Sequence, residues 1–287
     1  MPLSTTMVGQ KTDAIAHTVD ARWIMAYAAG LGDLNPRMMD TSKHAPVVAH
    51  PLFPVCVEWP VVLAAARVPG SELATMEERA RGVHAAHDLH IHRPVRDGDV
   101  LSTTAEIVGL EERKPGAAQM TKLETRDQRG ELVSTTWQLG ITRGVGISGE
   151  PRWTATPPPL PTDEGTEACE LVYALNVMPG AGQIYPECAR IWNPIHSDRA
   201  YAIAAGLPDI ILHGTATMAL AVSGIVNNCI GGDVARVTRI GGRFSAMVPV
   251  PDTLKLEIYR KSPDSVRYRV RNGAGQEAIT QGFLFWR

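Results

Sequence analysis

This chain reads as an α+β protein in two halves. The same order of features occurs twice, a proline-rich stretch separates the copies, and the second copy closes in short segments whose apolar residues alternate at period two. In the first copy Tyr27 is followed by "GDLNP" (32–36), "PVVAHPLFPVCVEWPVVLAAA" (46–66) and "VHAAHDLHIHRPVRDGDVL" (83–101). In the second, Tyr185 is followed by "IWNPIH" (191–196), "DIILHGTATMALAVSGIV" (209–226) and "VTRIGGRFSAMVPVPDTL" (237–254). Asn35 aligns with Asn193, His50 with His213 and Asp99 with Asp252 at nearly constant spacing, which marks a duplication.

Each copy predicts a short helix, one long apolar helix and then several strands. The helix predicted from Thr215 to about Asn228 is apolar nearly all the way round, which suits a segment wrapped by sheet. "TLKLEIYRK", "SVRYRVRN" and "AITQGFLFW" alternate strictly and break at "SPD" and "NGAG", as antiparallel strands do. Between the copies, "GISGEPRWTATPPPLPTDEGTE" (146–167) stacks prolines that cannot donate to a ladder, so it reads as an extended linker. The halves are then 1–145 and 168–287.

Composition narrows the function. Of 287 residues, 20% are charged, and the formal net charge of -2 offers no broad field to nucleic acid or an anionic membrane. No run reaches the ~20 apolar residues of a membrane helix. Cys56, Cys169, Cys188 and Cys229 form no CxxC pair, and the N-terminus lacks a basic stretch followed by an apolar run, so a reducing, cytoplasmic compartment is expected. No GxGxxG, P-loop or GxSxG pattern occurs, and no cofactor is expected.

The run "NPIHSDRAYAIAAGLPDIILHGTAT" (193–217) resembles the signature of MaoC-like, type 2 enoyl-CoA hydratases, and "YAAGLGDLNP" with "HRPVRDGD" resembles the N-terminal unit of their double-hotdog members. The resemblance implies two fused hotdogs, each an antiparallel sheet wrapped round a long helix, with the working residues in the second. It further implies a lyase of fatty acid metabolism acting on an enoyl or 3-hydroxyacyl thioester of CoA or a carrier protein. A homodimer and a monomer whose hotdogs pair internally both remain open.

The family pattern G-D-x-N-P-x-H is split between the copies. The second has Arg190 and Ile191 where glycine and aspartate are usual but keeps His196; the first keeps Asp33 and Asn35 but has Met38 in the histidine's place. Asp33 therefore reads as a structural remnant. Diverged members resembling mesaconyl-CoA hydratases keep a reduced core that Ile195, His196 and Asp198 fit.

Adding water across a conjugated double bond requires a proton-transfer group and a donor for the charge that builds on the thioester oxygen. His196, with a reference pKa of about 6.5, is the acid/base candidate. Pro194 stiffens its approach, Ser197 reads as the N-cap of "DRAYAIAA", and Gly206 as its terminator. Asn193 would orient the water, and the Gly214 N–H, opening the long helix, would meet the oxyanion. Ile191, Trp192, His213 and Thr215 flank them as substrate-contacting candidates. His50 and His213 stand at helix entrances as packing and turn residues. His84, Asp88, His90 and His92 share one face of a predicted strand, yet one element rarely supplies a whole metal site, and none is expected. Arg93 and Arg243 near strand ends are candidates for a CoA phosphate. Two further readings stand: another elimination, isomerisation or cyclisation, and a non-catalytic acyl-thioester-binding subunit.

Overall fold

The computed structural model describes residues 2–71, 75, 77, 78, 81–161 and 169–287. In the first half, β1 (Leu3–Ser4), β2 (Ile15–Thr18), α1 (Ala21–Gly30), α2 (Pro36–Met39) and α3 (Pro54–Ala65) precede β3 (Gly82–Ile91), β4 (Val100–Arg113), β5 (Gly116–Asp127) and β6 (Leu132–Arg143). Two short strands, β7 (Ile147–Ser148) and β8 (Arg152–Trp153), follow. The second half runs β9 (Leu171–Val177), α4 (Ala181–Ala189), α5 (Arg199–Ala204), α6 (Gly214–Cys229), β10 (Val237–Phe244), β11 (Asp252–Ser262), β12 (Ser265–Arg271) and β13 (Glu277–Trp286).

Ten of these strands follow one another in a single sheet, in the order β2-β4-β5-β6-β3-β10-β13-β12-β11-β9, with β8 beside β4. Read outward from the centre, the two halves repeat one strand order. They meet where β3 pairs antiparallel with β10, Gly241 opposite Asp88 and Arg243 opposite Ala86. The duplication seen in the landmarks is thus also a duplication of topology.

The sheet wraps α3 and α6. Val55 and Val57 of α3, Met218, Val222 and Ile225 of α6, and Leu89, Leu101, Ile240, Leu254 and Ile258 of the sheet belong to one buried cluster that spans both halves. Helix α6 sinks deeply because its residues are small: at Gly224 any Cβ would lie 2.9 Å from a Leu256 methyl, so glycine is what lets helix and sheet close up. Helix α6 begins directly after His213, whereas α3 begins only at Pro54, four residues after His50. Pro54 accounts for the shortening: in a helix begun at residue 51 it would fall at the fourth position, where an N–H is needed, whereas at the first position it is tolerated.

On the open side of the core, α1 packs on α4. Trp23 Nε1 donates to the Cys188 carbonyl at 3.2 Å, and the rings of Tyr27 and Tyr185 meet at 5.8 Å. Around this pair the contacts repeat: Tyr27 lies 5.6 Å from His50, and Tyr185 lies 5.2 Å from His213. The stretch expected to be an extended linker is partly tied down, because β7 pairs with β1 and β8 with β4. Residues 162–167 of that stretch lie outside the described residues.

Candidate functional site

The sequence 193–206 folds as a chain of caps. Asn193 Oδ1 accepts from the Ile195 N–H at 3.5 Å and starts a short 3-10 turn over Pro194–His196. Asn35 does the same in the first half, accepting from the Arg37 N–H at 3.0 Å. Contrary to expectation, Ser197 is not the N-cap of α5. It ends the 3-10 turn with its N–H on the Pro194 carbonyl, and Asp198 caps the helix by accepting from the Tyr201 N–H at 3.1 Å. Gly206 closes α5 at φ +84, a conformation that costs glycine nothing.

His196 emerges from that turn 9% exposed. Its Nδ1 lies 2.8 Å from the Ile211 carbonyl, which only accepts, so Nδ1 carries the proton and Nε2 offers a lone pair. Its ring stacks on His213 at 3.6 Å between centroids. Burial pushes the His196 pKa down to about 4, with the Ile211 carbonyl opposing. Burial and the neighbouring His196 push His213 lower still. Both rings are therefore neutral at neutral pH, the state in which Nε2 accepts a proton.

Gly214 is the first residue of α6, and the helix has no side-chain cap at His213. The first N–H groups of a helix have no intrahelical acceptor. Behind Gly214 stands Phe244, 3.0 Å from where a Cβ would be. Thr215 accepts from the Tyr185 hydroxyl at 3.1 Å.

The structure brings His196, His213, Gly214 and Thr215 to one place, with Tyr185 beside them. Ile191 is buried in the shared core with its backbone against His213, Trp192 is 57% exposed and donates through Nε1 to Glu187 at 3.1 Å, and Asn193 Oδ1 is engaged in its cap. Asp198, also a cap, is exposed.

The histidine strand departs from its expected face. A register shift between His84 and Ala86 brings His84 against His87, ring centroids 5.3 Å apart, while Asp88 holds Arg239 through two 2.8 Å bonds. His92, beyond the strand's end, bonds Thr135 at 3.0 Å. Among the described residues no three His, Cys, Asp or Glu side chains are placed to hold a metal ion. Arg93, a phosphate candidate by sequence, is committed to Asp99 at 2.8 Å and to Asp127 at 3.4 Å. Arg243 is exposed. No helix among the described residues is long and apolar enough to cross a membrane.

A cavity of about 650 Å³ opens on the other side of Tyr185 and Leu212, bounded by Asp33, Asn35, Ser223 and Asn227. Sequence reasoning missed it. Asp33 stood out only as half of a motif, and nothing local marks Ser223 or Asn227 on an otherwise apolar helix.

Comparison with known proteins agrees with this architecture. A family profile described as "FAS1-like, dehydratase domain region" matches residues 6–136, and one described as "MaoC like domain" matches residues 189–282. The 3-hydroxyacyl-thioester dehydratase Y of Mycobacterium tuberculosis is 25% identical over 97% of this chain and 95% of its own length. A peroxisomal enoyl-CoA hydratase 2 of Arabidopsis thaliana is 28% identical over 62% of this chain and 59% of its own. Among solved structures, a MaoC-like dehydratase from Phytophthora capsici superposes with a TM-score of 0.84 at 20% identity, covering 97% of this chain and 95% of that one. A Mycobacterium tuberculosis protein described as having a double hotdog fold superposes at 0.63 with 17% identity, covering 97% and 95%. The chain has an α+β double-hotdog fold, its first half similar to a FAS1-like dehydratase region and its second to a MaoC-like domain.

Proposed function

We propose that this protein is a lyase that adds water to, or removes it from, a 2-enoyl or 3-hydroxyacyl thioester carried by CoA or a carrier protein. The observation that carries the reading is the His196 tautomer: Nδ1–H is held by the Ile211 carbonyl, so Nε2 is a fixed acceptor beside the start of α6. The relatives named for hydratase and dehydratase activity on such thioesters support the substrate class. The units this reading assigns are 1–145 and a C-terminal MaoC-like unit from 168 that carries the reaction.

In the hydration direction, His196 Nε2 takes a proton from water while the water oxygen bonds to C3. The C2–C3 π pair shifts toward C2, and charge builds on the thioester oxygen, where the Gly214 N–H receives it. The proton then passes from His196 to C2 as the enolate re-forms the carbonyl. A neutral His196 is the form this step needs, and burial keeps it neutral. With Ile191 in the core, the proton passes without the customary aspartate. The four cysteines are unpaired, in keeping with a reducing, cytoplasmic setting.

The test is turnover of 2-enoyl and 3-hydroxyacyl thioesters by wild type and His196→Ala. A fall of ~10²- to 10⁴-fold is expected for loss of a proton-transfer group, and equal rates would overturn the assignment. His196 is only 9% exposed, which favours the acyl-thioester-binding reading as the second choice; tight binding without turnover in the wild type would select it.

A further inference from the structure

We propose that the cavity between residues 29–35 of the first half and β9, α4 and α6 of the second is a second ligand site, taking an aliphatic chain that bears a hydroxyl group, and that it binds this ligand without converting it. The cavity is about 650 Å³, within the range of ~300–1,000 Å³ usual for small-molecule pockets. Its rim carries Leu34, 71% exposed, Met178, 64% exposed, and Ile184, 48% exposed. Three large apolar side chains left in water around one opening mark an entrance for an apolar ligand. Leu175, Ala216 and Leu220 continue that surface inward.

One side of the cavity is polar, and its hydrogen bonding is incomplete. Asp33 is 6% exposed; its Oδ1 accepts from the Asn35 N–H and from Asn227 Nδ2, each at 3.2 Å. Its Oδ2 is buried with no hydrogen-bond partner. A buried carboxylate oxygen left unpaired costs about 1–3 kcal/mol or more, so a donor brought beside it binds with advantage. Asn35 Nδ2 holds this side in place through Asn227 Oδ1 at 3.0 Å and the Gly232 carbonyl at 2.8 Å.

Ser223 supplies the complementary group. His50 Nδ1 accepts the Leu52 N–H at 3.0 Å, so Nε2 carries the ring proton and gives it to Ser223 Oγ at 3.2 Å. The serine proton is then free to donate. Asp33 and Ser223 both line the cavity, and a ligand hydroxyl can donate to the first and accept from the second. A ligand carboxylate would bring a second negative charge to Asp33.

Among the described residues no histidine lines this cavity, and neither His196 nor Gly214, the groups assigned to the reaction, belongs to its lining, so the site is assigned binding only. Tyr185 and Leu212 form the wall shared with the His196 region, so the site stands whichever reaction His196 performs.

Titration calorimetry of the full chain with octan-1-ol and with its isomer 1-methoxyheptane, which lacks a donor, tests this. The wild type is expected to bind octan-1-ol at least about tenfold more tightly, the scale of one hydrogen bond to a charged group. Asp33→Asn should abolish that preference, Leu220→Trp should remove binding of both ligands, and His196→Ala should change neither. Equal affinity for the two isomers in the wild type, no binding of octan-1-ol, or a preference that survives Asp33→Asn while circular dichroism shows an intact fold would overturn the proposal.

Discussion

The two halves share a strand order, a tyrosine–histidine contact and an asparagine-capped turn, and they differ in what the turn delivers. The first half carries a carboxylate, Asp33, within its "GDLNP" loop, lining a cavity; the second ends its turn with an imidazole stacked under a helix start. Their helix entrances differ in the same sense. His213 leads straight into Gly214 and a sixteen-residue helix, while His50 is followed by Pro51 and a delayed, twelve-residue one. After duplication, then, the backbone frame held while the chemistry divided between the copies, because frame and chemistry reside in different atoms. Strand pairing uses main-chain groups, which survive side-chain change, and the turn rests on one asparagine kept in each copy.

Four perturbations probe this division, beginning with the His196→Ala comparison above as the largest. Next, Gly214→Pro gives the second half the residue the first already has. Proline is well tolerated at the first position of a helix, but its Cβ would lie 3.0 Å from Phe244, so Gly214→Ala, which adds the same Cβ and keeps the N–H, is the control. A loss of ~10²- to 10³-fold in kcat is expected, the cost of one oxyanion donor, whereas Pro51→Gly should leave the rate unchanged. Steady-state kinetics on one thioester decides both; a Gly214→Pro enzyme at wild-type rate would remove the amide from the mechanism.

Glu58 on α3 comes third. It is 3% exposed and accepts from the Thr136 hydroxyl at 2.6 Å, and burial pushes its pKa up to about 7. Counted from the aligned histidines, the second half has Ala221 there. A folded pKa above the unfolded one means that the stabilising contribution is complete below pH 4.5 and is lost as pH rises through 7. The loss above pH 7 is about 3 kcal/mol. Glu58→Gln should therefore raise the urea midpoint at pH 8 and leave it near wild type at pH 4; parallel pH profiles would contradict this.

The smallest effect concerns the left-handed residue before the motif. Gly32 has φ +69 and its counterpart Arg190 has φ +59, the latter with its guanidinium 3.8 Å above the Trp23 ring. No atom lies within 4 Å of a Cβ at Gly32, so Gly32→Ala should cost only the backbone term, about 1–2 kcal/mol. Arg190→Gly exchanges that same strain for a cation–π contact of about 0.5–2 kcal/mol, and should move the unfolding free energy by about 1 kcal/mol or less.

Much of this was legible in the sequence. The halves, the buried α6 and the alternating final strands follow from period and order, and the asymmetry of His196 and Asp33 follows from one motif read twice. What escaped was settled over distance or by single-residue choices. Two adjacent cap residues were on offer at Ser197 and Asp198, and geometry decided for the second. A register shift near Ala86 moved His84 off its expected face. Asp33 acquired its surroundings from Ser223 and Asn227, far along the chain. Glu58 was hidden inside an apolar run, and its burial depends on a threonine from another strand.

The β3–β10 seam bears on how such a protein can be divided. Cut between the copies, each fragment would present its inner strand bare, with main-chain donors and acceptors that the intact sheet satisfies. Fragments produced separately are therefore sticky by construction, and recombination along the original border competes with clumping as their fate.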